Sequence, residues 1–270
     1  MDTQTAFLDH HISHIKRDGW TVIPDVIPSD RVGPLRKSVL KIFTAATYGE
    51  DLGVNYPNYL AFDQGLAPYL ASRKVLDLAE TVFGPGVRIT STRPVILDPN
   101  GTGDRRSWHA DWPFNQARAA CIPAPYPDVT IHLTTLFMLT DFTKENGGTW
   151  IVPGSHRSSN NPTGNNGVDS KKPYPTEMQV TGKAGSVLMF DSRLWHGHPT
   201  NYTDKHRVAV RANYAPWWLN VNPTEKDATE KDLIEQATGK AQTTQGTLPK
   251  SAYEKLPEEA KPLYRHWVRD

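Results

Sequence analysis

The sequence predicts a mainly β fold with flanking helices, and three observations support this. Proline supplies 22 of the 270 residues, above the usual share of about 5%. Eight tryptophans and ten tyrosines accompany it, and aromatic residues favour strands. After Gly101, short apolar runs follow one another with turn residues between them and without a helical pattern. Such a succession favours an antiparallel sandwich or barrel over a doubly wound sheet.

The first part of the chain is predicted to support this core mainly with helices. The pattern over Thr5–Lys16 is weakly helical, and Gly19–Pro24 is predicted to be a short strand that ends at proline. Ser29 and Asp30 offer an N-cap to a second amphipathic helix. A third helix is predicted over Ser72–Phe83, because apolar residues recur there every three or four positions and glycines follow.

The core strands are predicted from apolar, β-branched runs. They are Val87–Leu97, Val129–Leu139, Gly148–Val152, Ser186–Phe190 and Val208–Tyr214. The polar stretch Arg157–Pro175 is predicted to be a long surface loop, either a lid or a merely solvated segment. We expect a single domain, in which residues 1–86 support the core, 87–216 form it and 217–270 dock on it through apolar anchors.

Composition excludes several classes of protein. The chain has 30 Lys and Arg against 29 Asp and Glu, so no basic surface for nucleic acid is expected. Its one cysteine, Cys121, excludes an internal disulfide or a multi-thiolate metal cluster. No apolar run approaches the length of about 20 residues that a bilayer requires, and no export signal is evident. We therefore expect a cytoplasmic protein that contacts neither nucleic acid nor membrane.

The segment Trp108–Trp112 offers a pair of metal ligands. His109 and Asp111 are two residues apart, so in an extended strand both side chains point to the same face. A third ligand could come from the histidine-rich turn after Ser186–Phe190, where His196 and His198 are themselves two residues apart. Two imidazoles and one carboxylate form the facial triad that holds Fe(II) and leaves positions open. The spacing alone does not choose between these two histidines.

Two further groups could bind organic ligands. The guanidinium of Arg207, on the strand predicted after the histidine-rich turn, is suited to grip a carboxylate of a dicarboxylic cosubstrate in a bidentate manner. Aromatic residues flank the first motif, and Trp112 and Phe114 are the first candidates for the wall of a substrate pocket.

Taken together, these motifs resemble the phytanoyl-CoA dioxygenase family of Fe(II)- and 2-oxoglutarate-dependent oxygenases. The resemblance is carried by Trp108–Asp111, by the stretch Glu145–Arg157, and by His196 with Asn201 five residues later and Arg207 eleven residues later. It spans nearly the whole chain. The family spacing from the distal histidine to the asparagine and the arginine selects His196 over His198.

The resemblance implies a double-stranded β-helix, a jelly-roll or cupin-like core, with iron on His109, Asp111 and His196. It also implies that 2-oxoglutarate chelates the iron and pairs with Arg207, and that dioxygen is the second cosubstrate. Relatives often have a small hydroxyl residue where this chain has His198, so His198 and the nearby Ser107 are candidates for cosubstrate contacts. Halogenating relatives lack the carboxylate, so Asp111 favours hydroxylation or a related oxidation.

We therefore expect a dioxygenase that oxidises an unactivated C–H bond of a small organic molecule and releases succinate and CO₂. Two alternatives remain open at this point. A hydrolase or isomerase could use the same ligands on another divalent metal, and a jelly roll could bind a ligand without catalysis. Neither the substrate nor the oligomeric state can be predicted from these residues.

Overall fold

The computed structural model describes residues 3–45, 55–56, 58–104, 107–119, 121–163, 168–197, 199–221, 228–240, 244–245 and 247–270. The helices in these ranges are α1 (Thr3–Asp18), α2 (Ser29–Ala45), α3 (Ala67–Leu70), α4 (Arg73–Phe83), α5 (Thr229–Thr238), α6 (Lys250–Tyr253) and α7 (Lys261–Tyr264). Short 3₁₀ turns lie at Tyr59–Ala61, Ser155–Arg157 and Arg265–Trp267. Within the described ranges, no helix combines the length and the apolar character needed to cross a membrane.

In helix α4 the apolar positions of the sequence pattern form the buried side of the helix. Ser72 precedes its first residue, and the apolar positions Val75, Leu76, Leu78 and Ala79 are all buried on one side of the helix. The helix ends at Gly84, whose φ of 77° requires a residue without a side chain. The prediction for Ser72–Phe83 is therefore confirmed, and α1 and α2 also lie where the sequence predicts helices.

The strands form two sheets around the core and two small parallel pairs. They are β1 (Trp20–Ile23), β2 (Asn55–Tyr56), β3 (Val87–Leu97), β4 (Leu133–Met138), β5 (Trp150–Ile151), β6 (Met178–Gln179), β7 (Val187–Asp191), β8 (His196–Gly197), β9 (Arg207–Pro216), β10 (Thr244–Gln245), β11 (Leu248–Pro249) and β12 (Val268–Arg269). The large sheet has the order β1-β7-β4-β9-β3, and all its pairs are antiparallel.

The small sheet has the order β6-β5-β8. An antiparallel bridge joins His109 to His196 of β8, so the segment around His109 continues this sheet on its far side. Both backbone bonds of the bridge are present, because the amide of each residue donates to the carbonyl of the other at 3.0 and 2.9 Å. The sheet therefore brings together two residues that are far apart in the sequence.

The two faces of the large sheet pack against different layers. Along β7, Val187 and Met189 belong to the apolar cluster that includes the helices, whereas Leu188 and Phe190 belong to a second cluster with Ile151 of the small sheet. This alternation is the period of two that a strand buried on both faces requires. The helices thus cover one face of the large sheet, and the small sheet covers the other.

Most strand predictions hold in position but not always in length. β3 has the predicted bounds, whereas the predicted strand Val129–Leu139 begins only at Leu133. In the preceding residues Val129 is half exposed and the Thr130 hydroxyl donates to Asp191, so side-chain contacts replace the strand ladder there. Near the C-terminus the indole of Trp267, fully buried, donates to the carbonyl of Ile89 on β3.

The packing of α1 against β1 includes a buried histidine. His11 is 4% exposed, and its Nδ1 lies 2.7 Å from the hydroxyl of Thr21. Burial, reinforced by the charges of His10 and His14, lowers the pKa of His11 from 6.5 to about 4. The folded protein therefore holds this imidazole neutral at a pH at which the unfolded chain would protonate it.

We expect this histidine to make the fold sensitive to acid. Between about pH 6.5 and about pH 4 the unfolded chain binds a proton at His11 and the folded chain does not, so the free energy of unfolding falls as the pH falls. The advantage of the wild type over His11→Asn, measured by urea denaturation, should therefore shrink between about pH 7 and about pH 4.5. A difference that does not change with pH would contradict this account.

Candidate metal centre and cosubstrate pocket

His109, Asp111 and His196 lie together at one edge of the small sheet. One potential ligand atom of each residue lies within 4.8 Å of those of the other two. The bridge between His109 and His196 fixes the two imidazoles side by side, with ring centroids 4.1 Å apart. The amide of Asp111 donates to the carbonyl of Ser192 at 2.8 Å, which ties the carboxylate to the turn before β8.

The two imidazoles are oriented in the same way. In each histidine Nδ1 lies 2.9 Å from the backbone carbonyl two residues earlier, that of Ser107 for His109 and that of Leu194 for His196. A carbonyl only accepts, so Nδ1 carries the hydrogen and the lone pair is on Nε2. The Nε2 atom of His196 faces Asp111, 3.7 Å from Oδ1. This is the tautomer that a histidine needs to bind a metal through Nε2.

The carboxylate of Asp111 stays ionised although it is buried. It is 6% exposed, and burial alone would raise its pKa. Nearby positive charge, above all that of Arg211, together with a hydrogen bond from Thr134, outweighs burial and holds the pKa of Asp111 well below its ordinary value. The guanidinium Nη1 of Arg211 lies 3.4 Å from Oδ1, and the hydroxyl of Thr134 donates to Oδ2 at 2.8 Å.

The three residues open onto a cavity of about 320 Å³ between the two sheets. Its other polar wall residues are Arg93, Thr134, Thr149, Arg207 and Arg211, and its apolar wall includes Val95, Leu136, Phe190 and Pro199. Among the described residues that line the cavity, Asp111 is the only acid. The wall is therefore strongly cationic.

Arg207 is a buried cation in this wall. It is 1% exposed, and its guanidinium carbon lies 4.3 Å from the centre of the Phe142 ring. Within the described part of the chain, Nε and Nη1 have no hydrogen-bond partner. Burial lowers the pKa of Arg207 to about 9, so the group remains charged at neutral pH. Burying a cation with unsatisfied donors costs free energy of folding unless a ligand accepts hydrogen bonds from those donors.

Thr149 is a second polar group in the same wall. It is 4% exposed, and its hydroxyl lacks a hydrogen-bond partner among the described residues. The turn before it requires Gly148, because a Cβ there would lie 2.4 Å from the carbonyl oxygen of Val180. Asn146 closes the same turn by donating to the carbonyl of Asp141 and accepting from the amide of Thr143.

Asn201 anchors the loop that leads into β9. Its amide donates to the carbonyls of Leu97 and Lys205 at 3.3 and 2.7 Å, and its Oδ1 accepts from the amide of Thr203 at 3.1 Å. Since Leu97 is the residue opposite Arg207 in the β3–β9 pair, these bonds fix the start of β9 and hence the backbone position of Arg207.

The donor set fits an Fe(II) ion with an anionic cosubstrate. Two imidazoles and one carboxylate on one side of a cavity are the ligand set of a facial triad, and the orphaned donors of Arg207 and the orphaned hydroxyl of Thr149 match the oxygens of a carboxylate. Elsewhere in the described ranges, no second group of three or more histidine, cysteine or acidic side chains is arranged to hold a metal ion.

Other residues predicted for the site lie in different surroundings. The side chain of Ser107 is exposed and outside the cavity wall, and its visible contribution is the carbonyl that orients His109. Trp112 is half-buried and Phe114 packs in a separate apolar cluster with Tyr126, and neither lines the cavity. His198 lies outside the described residues. The cosubstrate role of Ser107 and the substrate roles of Trp112 and Phe114 stay predictions without a supporting contact among the described residues, and the role of His198 stays an untested prediction.

The sequence reasoning missed four wall residues. Thr134 and Thr149 are a common residue type with no motif of their own. Only the fold places them beside His109, Asp111 and His196, which are called the metal group below. Arg93 and Arg211 are directly opposite each other in the β3–β9 pair. Arg211 follows Arg207 by four residues on the same strand and hence shares its face, which is a signal that the sequence did contain.

Comparisons with known proteins agree with this site. The family description "Phytanoyl-CoA dioxygenase (PhyH)" matches residues 15–209. A dioxygenase of Aspergillus fumigatus is 27% identical over 216 residues, which cover 75% of this chain and 65% of that protein. Ectoine dioxygenase of Nocardia farcinica is 23% identical over 222 residues, which cover 71% of this chain and 72% of that protein. This chain therefore spans slightly less than two thirds of the length of the Aspergillus relative.

The fold also has solved counterparts. HygX from Streptomyces hygroscopicus, with nickel and 2-oxoglutarate bound, superposes with a TM-score of 0.61 at 21% identity, over 87% of this chain and 95% of that chain. The resemblance predicted from the motifs is confirmed, because the family match covers most of the chain and includes His109, Asp111, His196 and Arg207. This protein thus belongs to the phytanoyl-CoA dioxygenase (PhyH) family.

Proposed function

We propose that this protein is an Fe(II)- and 2-oxoglutarate-dependent dioxygenase that oxidises a C–H bond of a small organic molecule and releases succinate and CO₂. One observation carries the proposal. A His-Asp-His group, in which Asp111 and His196 are buried and His109 is half-buried, shares a cavity with a buried arginine, Arg207, whose Nε and Nη1 lack partners among the described residues. A metal group alone would suit several reactions, but the arginine adds the need for an anionic ligand beside the metal.

The residues of this chain have distinct tasks in that reaction. His109, Asp111 and His196 would hold Fe(II), and a facial triad of this kind would leave positions open for the cosubstrates. When bound, Fe(II) and 2-oxoglutarate supply the oxidative decarboxylation that activates dioxygen. 2-Oxoglutarate has two carboxylates. Arg207 and Thr149 would hold the one that does not bind the metal. The apolar residues Leu136 and Phe190 keep water away from the reacting atoms.

We also propose that the core is a double-stranded β-helix in a single domain. Successive segments alternate between the sheets, since β3, β4, β7 and β9 belong to the large sheet and the His109 segment, β5 with β6, and β8 belong to the small one. This alternation supports a jelly roll, in which His109, Asp111 and His196 would lie at one open end. Residues 1–86 and 217–270 would then flank a core over 87–216.

The alternative of a hydrolase or isomerase on another divalent metal is less well supported. Such a reaction gives no reason for Arg207 to be buried beside the metal group without a hydrogen-bond partner for Nε and Nη1 in the described residues. Chlorination is also disfavoured, because Asp111 supplies a carboxylate where a halide would have to bind.

The cavity wall favours a substrate that carries an acidic group. Arg93 and Arg211 face each other across two strands and both line the cavity, and like charges directly opposite each other destabilise a sheet. Asp111 pairs with Arg211, and the two charges of Fe(II) and the two of 2-oxoglutarate cancel, so the three arginines of the described wall still outnumber its one carboxylate. An oxyanion on the substrate, such as a carboxylate, would be stabilised between Arg93 and Arg211.

The test is the consumption of 2-oxoglutarate by the purified protein with Fe(II), measured as succinate release. We expect slow release without substrate and faster release with small carboxylic acids than with their primary amides. Replacing Fe(II) by Zn(II) should stop release. Turnover of a candidate compound with Zn(II) or Mn(II) and without 2-oxoglutarate would instead support the hydrolase or isomerase.

A further inference from the structure

A line of buried polar side chains leads away from the carboxylate of Asp111. The Thr134 hydroxyl that donates to Oδ2 lies 2.8 Å from the hydroxyl of Ser192. Ser192 in turn lies 2.7 Å from Nδ1 of His132, and Nε2 of His132 lies 2.9 Å from the hydroxyl of Thr90. All four side chains beyond Asp111 are at most 1% exposed. The line therefore runs from the metal group into the interior of the protein.

The direction of every hydrogen bond in this line follows from its first member. The hydroxyl of Thr134 donates to Oδ2 of Asp111 at 2.8 Å, so its single hydrogen points to that carboxylate. The oxygen of Thr134 must then accept from Ser192, and the oxygen of Ser192 must accept from Nδ1–H of His132. A neutral imidazole has one N–H, so its Nε2 accepts from Thr90.

The surroundings of His132 agree with a neutral ring. His132 is completely buried, and burial lowers its pKa to about 3 although the charge of Asp111 acts in the opposite direction. The backbone reinforces the line, because the amide of Ser192 donates to the carbonyl of His132 at 3.0 Å and the amide of Asp111 donates to that of Ser192 at 2.8 Å. Backbone bonds thus join Asp111, Ser192 and His132, which the side-chain bonds also connect by way of Thr134.

We propose that Thr134, Ser192 and His132 are positioning residues that fix the carboxylate of Asp111 for the metal. With Oδ2 held by Thr134, Oδ1 lies 3.7 Å from the Nε2 atom of His196 and is the oxygen that would bind Fe(II). Among the described residues the line ends at the buried Thr90, so its role is to orient Asp111 and not to carry a proton to or from solvent. The part of the proposal that concerns Fe(II) rests on the proposed function, whereas the direction of the hydrogen bonds does not.

The direction is tested on the metal-free protein by ¹⁵N NMR of its histidine rings, with His132→Asn to identify the signal. We expect His132 to carry its hydrogen on Nδ1, to have an unprotonated Nε2, and to show no titration between about pH 5 and about pH 8. A ring with hydrogen on Nε2, or a charged ring in that range, would overturn the directional line. This measurement needs neither metal nor activity, so it stands even where the proposed function fails.

The link to the metal is tested by Thr134→Val, with Thr135→Val as the matched control. Thr135 is the neighbouring buried threonine on β4, and its hydroxyl donates to the carbonyl of Ala212 on the other face of the strand. We expect anaerobic Fe(II) titration to show affinity about 10- to 100-fold weaker for Thr134→Val and unchanged for Thr135→Val, since loss of a partner of a ligand typically costs that much.

A third variant separates positioning from damage to the fold. Thr134→Ser keeps the hydroxyl and should retain the Fe(II) affinity of the wild type, even where the valine variant folds poorly. Equal Fe(II) affinity for Thr134→Val and Thr135→Val, or equal losses for Thr134→Ser and Thr134→Val, would overturn the positioning role. A wild type that binds no Fe(II) would refute the proposed function, and with it the positioning role toward the metal, while leaving the tautomer result intact.

Discussion

Asp111→Ala should lose Fe(II) binding and 2-oxoglutarate turnover while it keeps its fold. The carboxylate supplies the only anionic group in the described wall of the cavity, and without it two imidazoles remain to hold the ion. Loss of a residue that only hydrogen-bonds to a metal ligand costs roughly 10- to 100-fold. We expect Fe(II) affinity and succinate release each to fall by more than this, because Asp111 is itself a ligand. Anaerobic Fe(II) titration and a succinate assay measure the two effects.

Two further variants make this result interpretable. Asp111→Asn keeps an acceptor for the hydroxyl of Thr134 but removes the charge, and we expect it to fail as Asp111→Ala does. Asp232→Ala removes an exposed carboxylate on α5 and should leave both quantities unchanged. Succinate release at the rate of the wild type by a folded Asp111→Ala protein would refute the metal assignment.

Arg207→Met should raise the KM for 2-oxoglutarate by about 100-fold or more, with a smaller effect on kcat. A charge-assisted hydrogen bond contributes about 1.5–3 kcal/mol, and each 1.4 kcal/mol corresponds to about tenfold in affinity. The donors Nε and Nη1 are both available for the cosubstrate, so two such bonds are lost. Succinate release at increasing 2-oxoglutarate concentration separates KM from kcat.

The same substitution should not destabilise the metal-free protein. A buried guanidinium is costly in the absence of a ligand when, as in Arg207, two of its donors lack partners among the described residues, and methionine fills a similar apolar volume beside Phe142. We therefore expect a Tm equal to that of the wild type or higher. A large loss of Tm together with unchanged KM would show that Arg207 serves the fold and not the cosubstrate. Arg36→Ala, at an exposed position on α2, is the control.

Local signals in the sequence predicted the framework well. Helix α4 and strand β3 carry clear periodicity and glycine stops, and both lie within a residue of their predicted positions. The strand predicted from Val129 was too long, because its first residues bond through side chains and not through a ladder. A β-branched run alone does not distinguish these two cases.

The metal group was accessible to prediction for a geometric reason. His109 and Asp111 are two residues apart, so any extended conformation places them on one face. The family spacing then selected His196 with Arg207. Thr134, Ser192 and His132 had no such signal, because their contacts depend on how the turn before β8 lies against β4 and on the burial of both. Contacts of this kind are set by the packing of distant segments.

The most direct test of the central claim is anaerobic titration of the metal-free protein with Fe(II) and then 2-oxoglutarate, monitored for the weak visible charge-transfer band of an iron-bound 2-oxo acid. We expect a band in the wild type, a band that requires far more 2-oxoglutarate in Arg207→Met, and none in His196→Ala. A folded wild-type protein that shows no band at saturating Fe(II) and 2-oxoglutarate would contradict the assignment of this cavity as an Fe(II) and 2-oxoglutarate site.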